Sequence, residues 1–417
     1  MSDKALFVGV DLGEDFTQIT YFREQILAPV SICREGDQEQ YLIPTELLLR
    51  TRDHSWFTAD EIPSDDEDFR EVNCLFARIA GEMEYTITED EPAPDVLLAI
   101  FFRRVFSVLR QYVPGVKVRY VTVTVPRITR ALMTNMEKAL GKLGIRHDRY
   151  SVISHDEALL SYTIHQRSEL WMNDTAVFEL DDEGLHYHQL VINRNDHPMS
   201  ARVEHRDFPD APKLSERMEH PGETLSGLRH FTALALKHQP VSTVYAVGKG
   251  FLDDWADDVL VGLSNGRHVF RGQNLFAKGA CYQARMAFTG NHESVLFFDE
   301  DKCTSGVSIT AFRNGQDEEI TLIRPGTIWY EAKAELDLIL DEEDELTFQI
   351  KDFGSKKVWQ RFLSLNGVAG RPRRMTRVHV EVFFTSVSNL IIRAKDMGFG
   401  EFQPTSNRIW ELSVGEG

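Results

Sequence analysis

Apolar residues in this chain fall into short runs, and the spacing within the runs changes along the sequence. The run Ala5 to Val10 ends at Asp11-Leu12-Gly13, and a second run, Phe16 to Phe22, follows after a few turn residues. Two such runs predict a β-hairpin. Tyr41-Leu42-Ile43-Pro44, Glu46 to Leu49 and Trp56-Phe57 read as further short strands, and the acidic stretch 60–72 reads as a loop. From Val96 to Tyr112 apolar residues recur at 97, 98, 101, 105, 108 and 109, the period of a helix, with Asp95 as its candidate N-cap. Val118 to Val125 predicts a strand, and Ile128 to Leu143 a helix stopped by Gly144. Ser151 to Ile153 predicts a strand and His155 to His165 a helix.

A second hairpin pattern then begins: Thr175 to Leu180, a turn at Asp181 to Gly184, and Leu185 to Ile192. Residues 193–222 are polar and read as irregular or as a reduced insertion. Glu223 to His238 predicts a helix, Val241 to Val247 a strand ending in Gly248-Lys249-Gly250, and Phe276 to Phe288 a helix rich in small residues. Residues 1–288 thus repeat one β-rich α/β unit approximately twice, and paired units of this kind clasp a ligand between them. After Gly290 the helical period disappears. Short runs at 295–298, 307–312, 319–323, 335–340, 346–350, 376–384, 389–394 and 408–413 predict an all-β domain over 291–417.

Charge narrows the partners. Lys plus Arg is 46 and Asp plus Glu is 65, a net charge of −19. This argues against nucleic acid or an anionic membrane as the main partner. No apolar run approaches the roughly 18 residues of a membrane span. The start, MSDKALFVGVDLG, lacks the basic and apolar regions of a secretory signal. Cys33, Cys74, Cys281 and Cys303 are far apart and form no CxxC, so a reducing, cytoplasmic setting is expected. GxSxG, HExxH and GxxxxGKS are absent, which leaves hydrolase, zincin and P-loop chemistry without support.

Four segments carry a family resemblance. GVDLGEDFT (9–17) resembles the first phosphate hairpin of the actin, heat-shock-chaperone and sugar-kinase superfamily. VTVTVPRITRALMTNMEKALGKLGI (121–145) with SVISHDEALLSY (151–162) resembles its connecting segment. FELDDEGLHYHQL (178–190) sits at the second phosphate hairpin, and VYAVGKG (244–250) with KGACYQA (278–284) resembles the adenosine segment and closing helix. RMTRVHVEVFFTSVSNLIIRAKDMGFGE (374–401) is similar to the substrate-binding β-sandwich of the DnaK-type chaperones, while their helical lid has no counterpart. The resemblance implies a two-lobed actin-like ATPase fold made of duplicated ribonuclease-H-like units. Lobe I would span about 1–170 and lobe II about 171–288, followed by a β-sandwich over 291–417. It also implies ATP or ADP with magnesium as cofactor, and a protein or extended peptide as partner. The nucleotide cleft would be formed by Asp11, Gly13, Thr17, Glu179, Gly184, Gly248 and Gly250.

The phosphate motifs depart from the family pattern. Glu14 and Asp15 stand where hydroxyls or small residues belong. The second motif, Asp-Leu-Gly-Gly-Gly-Thr in the family, reads Glu179-Leu180-Asp181-Asp182-Glu183-Gly184. If both turns face the cleft, five new carboxylates surround the phosphate site, and each carboxylate–phosphate pair costs on the order of 1–3 kcal/mol. Asp156 or Glu157 would position the attacking water, and Gly248 and Gly250 would either admit a purine or form a tight turn. His186 and His188 share one side of a strand, a two-His pair without a third metal ligand in the sequence. The expectation is therefore a vestigial cleft with no catalytic residue, resident metal or cofactor assigned. Two other readings stay open: the acids recruit a nucleotide through divalent cations, or the true turn lies elsewhere. At the level of function, a chaperone-like binding or scaffold protein stands first. The alternatives are an active, divergent DnaK-type ATPase and an actin-like cytoskeletal or cell-division scaffold.

Overall fold

A computed structural model describes residues 5–32, 42–61, 68–88, 92–115, 117–290, 295–341, 344–367 and 371–415. The fold is mixed α/β. Its first strands are β1 (Ala5–Leu12), β2 (Phe16–Arg23), β3 (Ala28–Ser31), β4 (Ile43–Pro44), β5 (Leu47–Arg50), β6 (Ser55–Phe57) and β7 (Phe69–Val72). They are followed by α1 (Leu75–Ala80), α2 (Pro94–Tyr112), β8 (Lys117–Val125), α3 (Arg130–Lys142), β9 (Tyr150–Ser154) and α4 (His155–Ile164). The plan then recurs: β10 (Asp174–Leu180), β11 (Leu185–Asn193), β12 (Met199–Phe208), α5 (Pro221–Ala235), β13 (Val241–Val247), α6 (Asp257–Leu263), β14 (His268–Arg271) and α7 (Leu275–Thr289).

Two sheets express this repeat. In the first, β3, β2, β1, β8 and β9 stand side by side in that order, with β4 also on β2. In the second the order is β12, β11, β10, β13, β14. In each, the opening hairpin is antiparallel and its first strand then pairs in parallel with the strand after a helix: β1 with β8, β10 with β13. A further parallel pair completes each sheet, β8 with β9 and β13 with β14. The central strands are buried on both faces, as parallel strands covered by helices must be: Phe7 and Val8 of β1, Thr122 and Val123 of β8, Val177 and Phe178 of β10, and Tyr245 and Ala246 of β13 are all buried.

Helix α7 owes its small residues to close packing. A Cβ on Gly9 of β1 would lie 2.2 Å from the Ala277 carbonyl, and one on Gly279 would lie 1.9 Å from the Ala158 carbonyl of α4. Only glycine permits both approaches, so α7 seats directly on β1 and α4. Thr20 Oγ1 donates to the Ala277 carbonyl at 2.8 Å and ties the same contact.

Several elements differ from the sequence reading. Asp95 is not the N-cap of α2: the cap is Ala93, Pro94 takes the first turn, and the Asp95 carboxylate pairs with Lys142 Nζ at 2.6 Å. Residues 60–72 are not loop throughout, because Phe69–Val72 forms β7 against β5. Residues 193–222 are not irregular, because Met199–Phe208 forms β12 and a helix begins at Pro221. Both missed strands are exposed over much of their length, so they lack the apolar alternation of a half-buried strand. Tyr41 and Cys33 lie outside the described residues, as do 62–67 and 291–294. The other three cysteines are free thiols, with Cys74 exposed and Cys281 and Cys303 buried.

The chain divides into two compact units, Met1–Asn193 with Ala201–Ser294, and Arg194–Ser200 with Val295–Gly417. From Val295 onward the second unit contains β15 (Val295–Phe297), β16 (Ser305–Arg313), β17 (Gln316–Ile323), β18 (Lys333–Leu340) and β19 (Glu345–Asp352). It ends with β20 (Val358–Ser364), β21 (Thr376–Ser386), β22 (Asn389–Asp396) and β23 (Ile409–Val414). Two four-stranded sheets result, in the orders β17-β16-β19-β20 and β18-β21-β22-β23, and their buried residues form one apolar cluster. Val378, Val380, Val382, Leu390, Ile392 and Ala394 all sit in it. Asp396, fully buried, accepts a two-pronged pair from Arg371 at 2.8 and 2.7 Å and clips the following loop through Gly398 N and Ser406. Among the described residues no helix is long and apolar enough to cross a membrane.

Candidate functional site

The carboxyl ends of β1, β8, β10 and β13 converge on a cavity of about 480 Å³ in the first unit. In sheets of this type ligands bind at that end of the strands. The turn after β1 contributes Asp11, Gly13, Glu14 and Asp15; the turn after β10 contributes Glu179, Asp181, Asp182 and Glu183. Arg127 follows β8, His155 opens α4, and Lys249 follows β13. His186 and His188 reach in from β11.

Six of these seven carboxylates have a cation or imidazole of the protein as partner. Lys249 Nζ lies 2.8 Å from Asp15 and 3.7 Å from Asp182, so one ammonium bridges the two turns. Arg127 pairs with Glu14 from the first turn and with Glu82. His155 Nε2 is 2.8 Å from Asp11 Oδ1, and its ring stacks on Phe276 at 4.0 Å. His188 lies 3.8 Å from Glu179, and His186 lies 3.7 Å from Asp181 and 2.9 Å from Asp207. A relay continues outward from His188 Nδ1 to His205 Nδ1 at 2.7 Å and from His205 Nε2 to Asp156 at 2.9 Å.

The backbone of the second turn is engaged as well. The N–H groups of Glu183 and Gly184 both donate to Asp181 Oδ1, at 2.8 and 3.0 Å. This is an aspartate turn closed on itself. Those N–H groups are of the kind that a glycine-rich phosphate turn would aim at an oxyanion.

The titrations follow from this pairing. The Asp181 carboxylate, aided by Asp207, outweighs burial and pushes the His186 pKa up to about 9. Burial works to lower His155, yet Asp11 and Glu179 leave it above the ordinary imidazole value. Burial works to raise Glu179 and Asp181, but His188 and His155 for the first and His186 for the second hold both below the usual carboxylate range. Burial works to lower Lys249, and Asp15 and Asp182 raise it above its ordinary value. Glu179, Asp181, His186 and Lys249 therefore stay charged together near neutral pH.

Of the residues named from sequence, Asp11, Gly13, Glu179 and Gly248 line the cavity. Thr17 is buried and its hydroxyl meets that of Thr45 at 3.0 Å. Gly184, at φ +148°, lets the second turn close. Gly248 and Gly250 serve internal contact: a Cβ would lie 2.9 Å from the Leu180 carbonyl at the first and 2.5 Å from the Leu180 side chain at the second. Neither Asp156 nor Glu157 is among the lining residues; His155 takes that place. Among the described residues no group of three or more His, Cys, Asp or Glu is arranged to hold a metal ion. The sequence reading missed Arg127, His155 and Lys249 as counterions. Lys249 had a signal, a lone basic residue between the two glycines of a motif placed at the cleft.

No curated protein matches this chain. Residues 302–415 match a domain of unknown function, DUF8552. Residues 28–300, well over half of the chain, match the C-terminal model of a family of unknown function, DUF5716, and the protein belongs to that family.

Proposed function

We propose that this protein is a chaperone-like protein-binding or scaffold protein on an actin-type two-lobed fold, its nucleotide cleft sealed by its own charges. The repeated strand order of the two α/β sheets supports the two-lobed reading. The two four-stranded sheets around one apolar cluster support reading residues 295–415 as a β-sandwich. One observation carries the functional reading: Lys249 ties Asp15 to Asp182, joining the two turns at the place the resemblance assigns to the phosphates. A polyphosphate entering there must compete with that ammonium and face the freed carboxylates. Function then rests on surfaces that recognise protein, with extended apolar segments as the chemistry that a β-sandwich takes.

The test uses the full chain. Steady-state ATP turnover is expected to stay at background, and capture of extended apolar peptides on an array is expected to be weak and unchanged by ATP. Peptide-stimulated turnover lost in Asp11→Ala would overturn the reading in favour of an active ATPase. Filaments that sediment, without peptide capture, would overturn it in favour of an actin-type scaffold.

A further inference from the structure

A second cavity, of about 590 Å³, opens at the amino ends of β1 and β8, where α2 and the end of α3 pass. Six of its lining residues are cationic: Arg103, Arg110, Lys117, Arg119, Lys142 and Arg149. Among the described residues no Asp or Glu lines it. In a chain with 65 acidic and 46 basic residues this local excess runs against the overall composition. Lys142 is neutralised by Asp95 from outside the cavity. The other five have no ion-pair or hydrogen-bonded side-chain partner among the described residues. Arg119 and Arg149 are half-buried, so part of their hydration is already lost.

The floor has the opposite character. Leu6, Phe106, Leu109 and Val121 are buried apolar residues beneath the cations. The volume suits a small molecule rather than a polymer. The overall negative field disfavours a nucleic-acid strand. Arginine forks favour phosphate or carboxylate groups.

We propose that this cavity binds a small amphipathic anion, its apolar body on the Phe106–Leu109 floor and its phosphate or carboxylate head on the surrounding arginines and Lys117. The site is separate from the sealed cleft, and it does not depend on the reading given above for that cleft. The head-and-tail chemistry fits a free metabolite or a single lipid equally.

Calorimetric titration of the full chain with n-decyl phosphate, kept below its micellar concentration, tests the proposal. Saturable binding of one molecule per chain is expected. Inorganic phosphate and decanol, which each offer half of the chemistry, should bind at least about tenfold more weakly. Arg119→Gln/Arg149→Gln should weaken decyl phosphate at least about tenfold. Should that variant melt early, Arg110→Gln/Lys117→Gln, at exposed positions, should still weaken it about threefold or more. Sedimentation with phosphatidylcholine vesicles containing phosphatidic acid distinguishes the sources: cation-dependent co-sedimentation supports a membrane lipid, and soluble binding without it supports a free metabolite. Absence of saturation, equal affinity for inorganic phosphate, or affinity unchanged in both variants would overturn the site.

Discussion

Strands β1 and β8 carry a charged cavity at each end, and the two cavities handle charge in opposite ways. At the carboxyl ends, six of seven lining carboxylates meet Lys249, Arg127 or a histidine, and the second turn closes its own N–H groups on Asp181. At the amino ends, five of six cations meet no carboxylate among the described residues. The density of charge is similar, yet only the second arrangement leaves most of its charge without a counterion among the described residues. Carboxylates in these two turns thus do more than repel an anion. They also recruit counterions from neighbouring elements, and the resulting ion pairs must be broken before any anion can enter.

Four perturbations bear on this contrast. The largest concerns the frame that both cavities share. Gly279→Val forces a side chain into the Ala158 carbonyl and should destabilise the first unit by about 3 kcal/mol or more in urea unfolding. A variant with unchanged stability would mean that α7 does not seat on α4 as described.

The second perturbation is pH. His186 titrates at about 9 in the folded chain, above the roughly 6.5 of an unfolded histidine. Its contribution is therefore complete below about pH 6.5 and is lost as pH rises through 9. Unfolding free energy should fall by about 2 kcal/mol between pH 6.5 and 10, and His186→Gln should remove most of that slope. The lowered Asp181 and Glu179 act at the other end, where stability falls as acid protonates them. An equal alkaline slope in wild type and His186→Gln would break the pairing described for the second turn.

Restoring the turns comes third. Asp181→Gly/Asp182→Gly/Glu183→Gly with Glu14→Thr/Asp15→Thr releases Lys249, frees the turn N–H groups and removes five carboxylates. Affinity for magnesium-ATP should rise at least about tenfold, roughly 1.4 kcal/mol, by calorimetry. No gain would show that charge alone does not close the cleft. The smallest effect is the bridge itself. A double-mutant cycle with Lys249→Met and Asp15→Asn should give a coupling of about 0.5–1 kcal/mol, because both side chains are partly exposed to water.

The legibility of these features in the sequence follows their physics. The hairpins and the β8–α3–β9–α4 segment could be read because their apolar runs stop at sharp turn signals such as Gly13, Pro126 and Gly144. β7, β12 and β20 could not, since exposed strands carry polar residues on both faces; β20 buries only Leu363. The acidic turns were legible as a departure from the glycine-rich pattern of the resemblance, because glycine and carboxylate differ so sharply. Their counterions were not, because pairing is tertiary: His155 meets Asp11 across 144 residues of sequence. Gly248 and Gly250 read from sequence as a purine contact or a tight turn, and their close approach to Leu180 is a tertiary feature that no linear motif displays. The cationic cavity draws its charges from α2, β8 and the residues around α3, and no linear motif gathers them.

Calorimetric titration of the full chain with ATP, with and without magnesium, addresses the sealed cleft most directly. The account predicts no saturable heat tighter than about 1 mM, roughly 4 kcal/mol of binding, in either condition. Micromolar, magnesium-dependent binding that is lost in Asp11→Ala would contradict it.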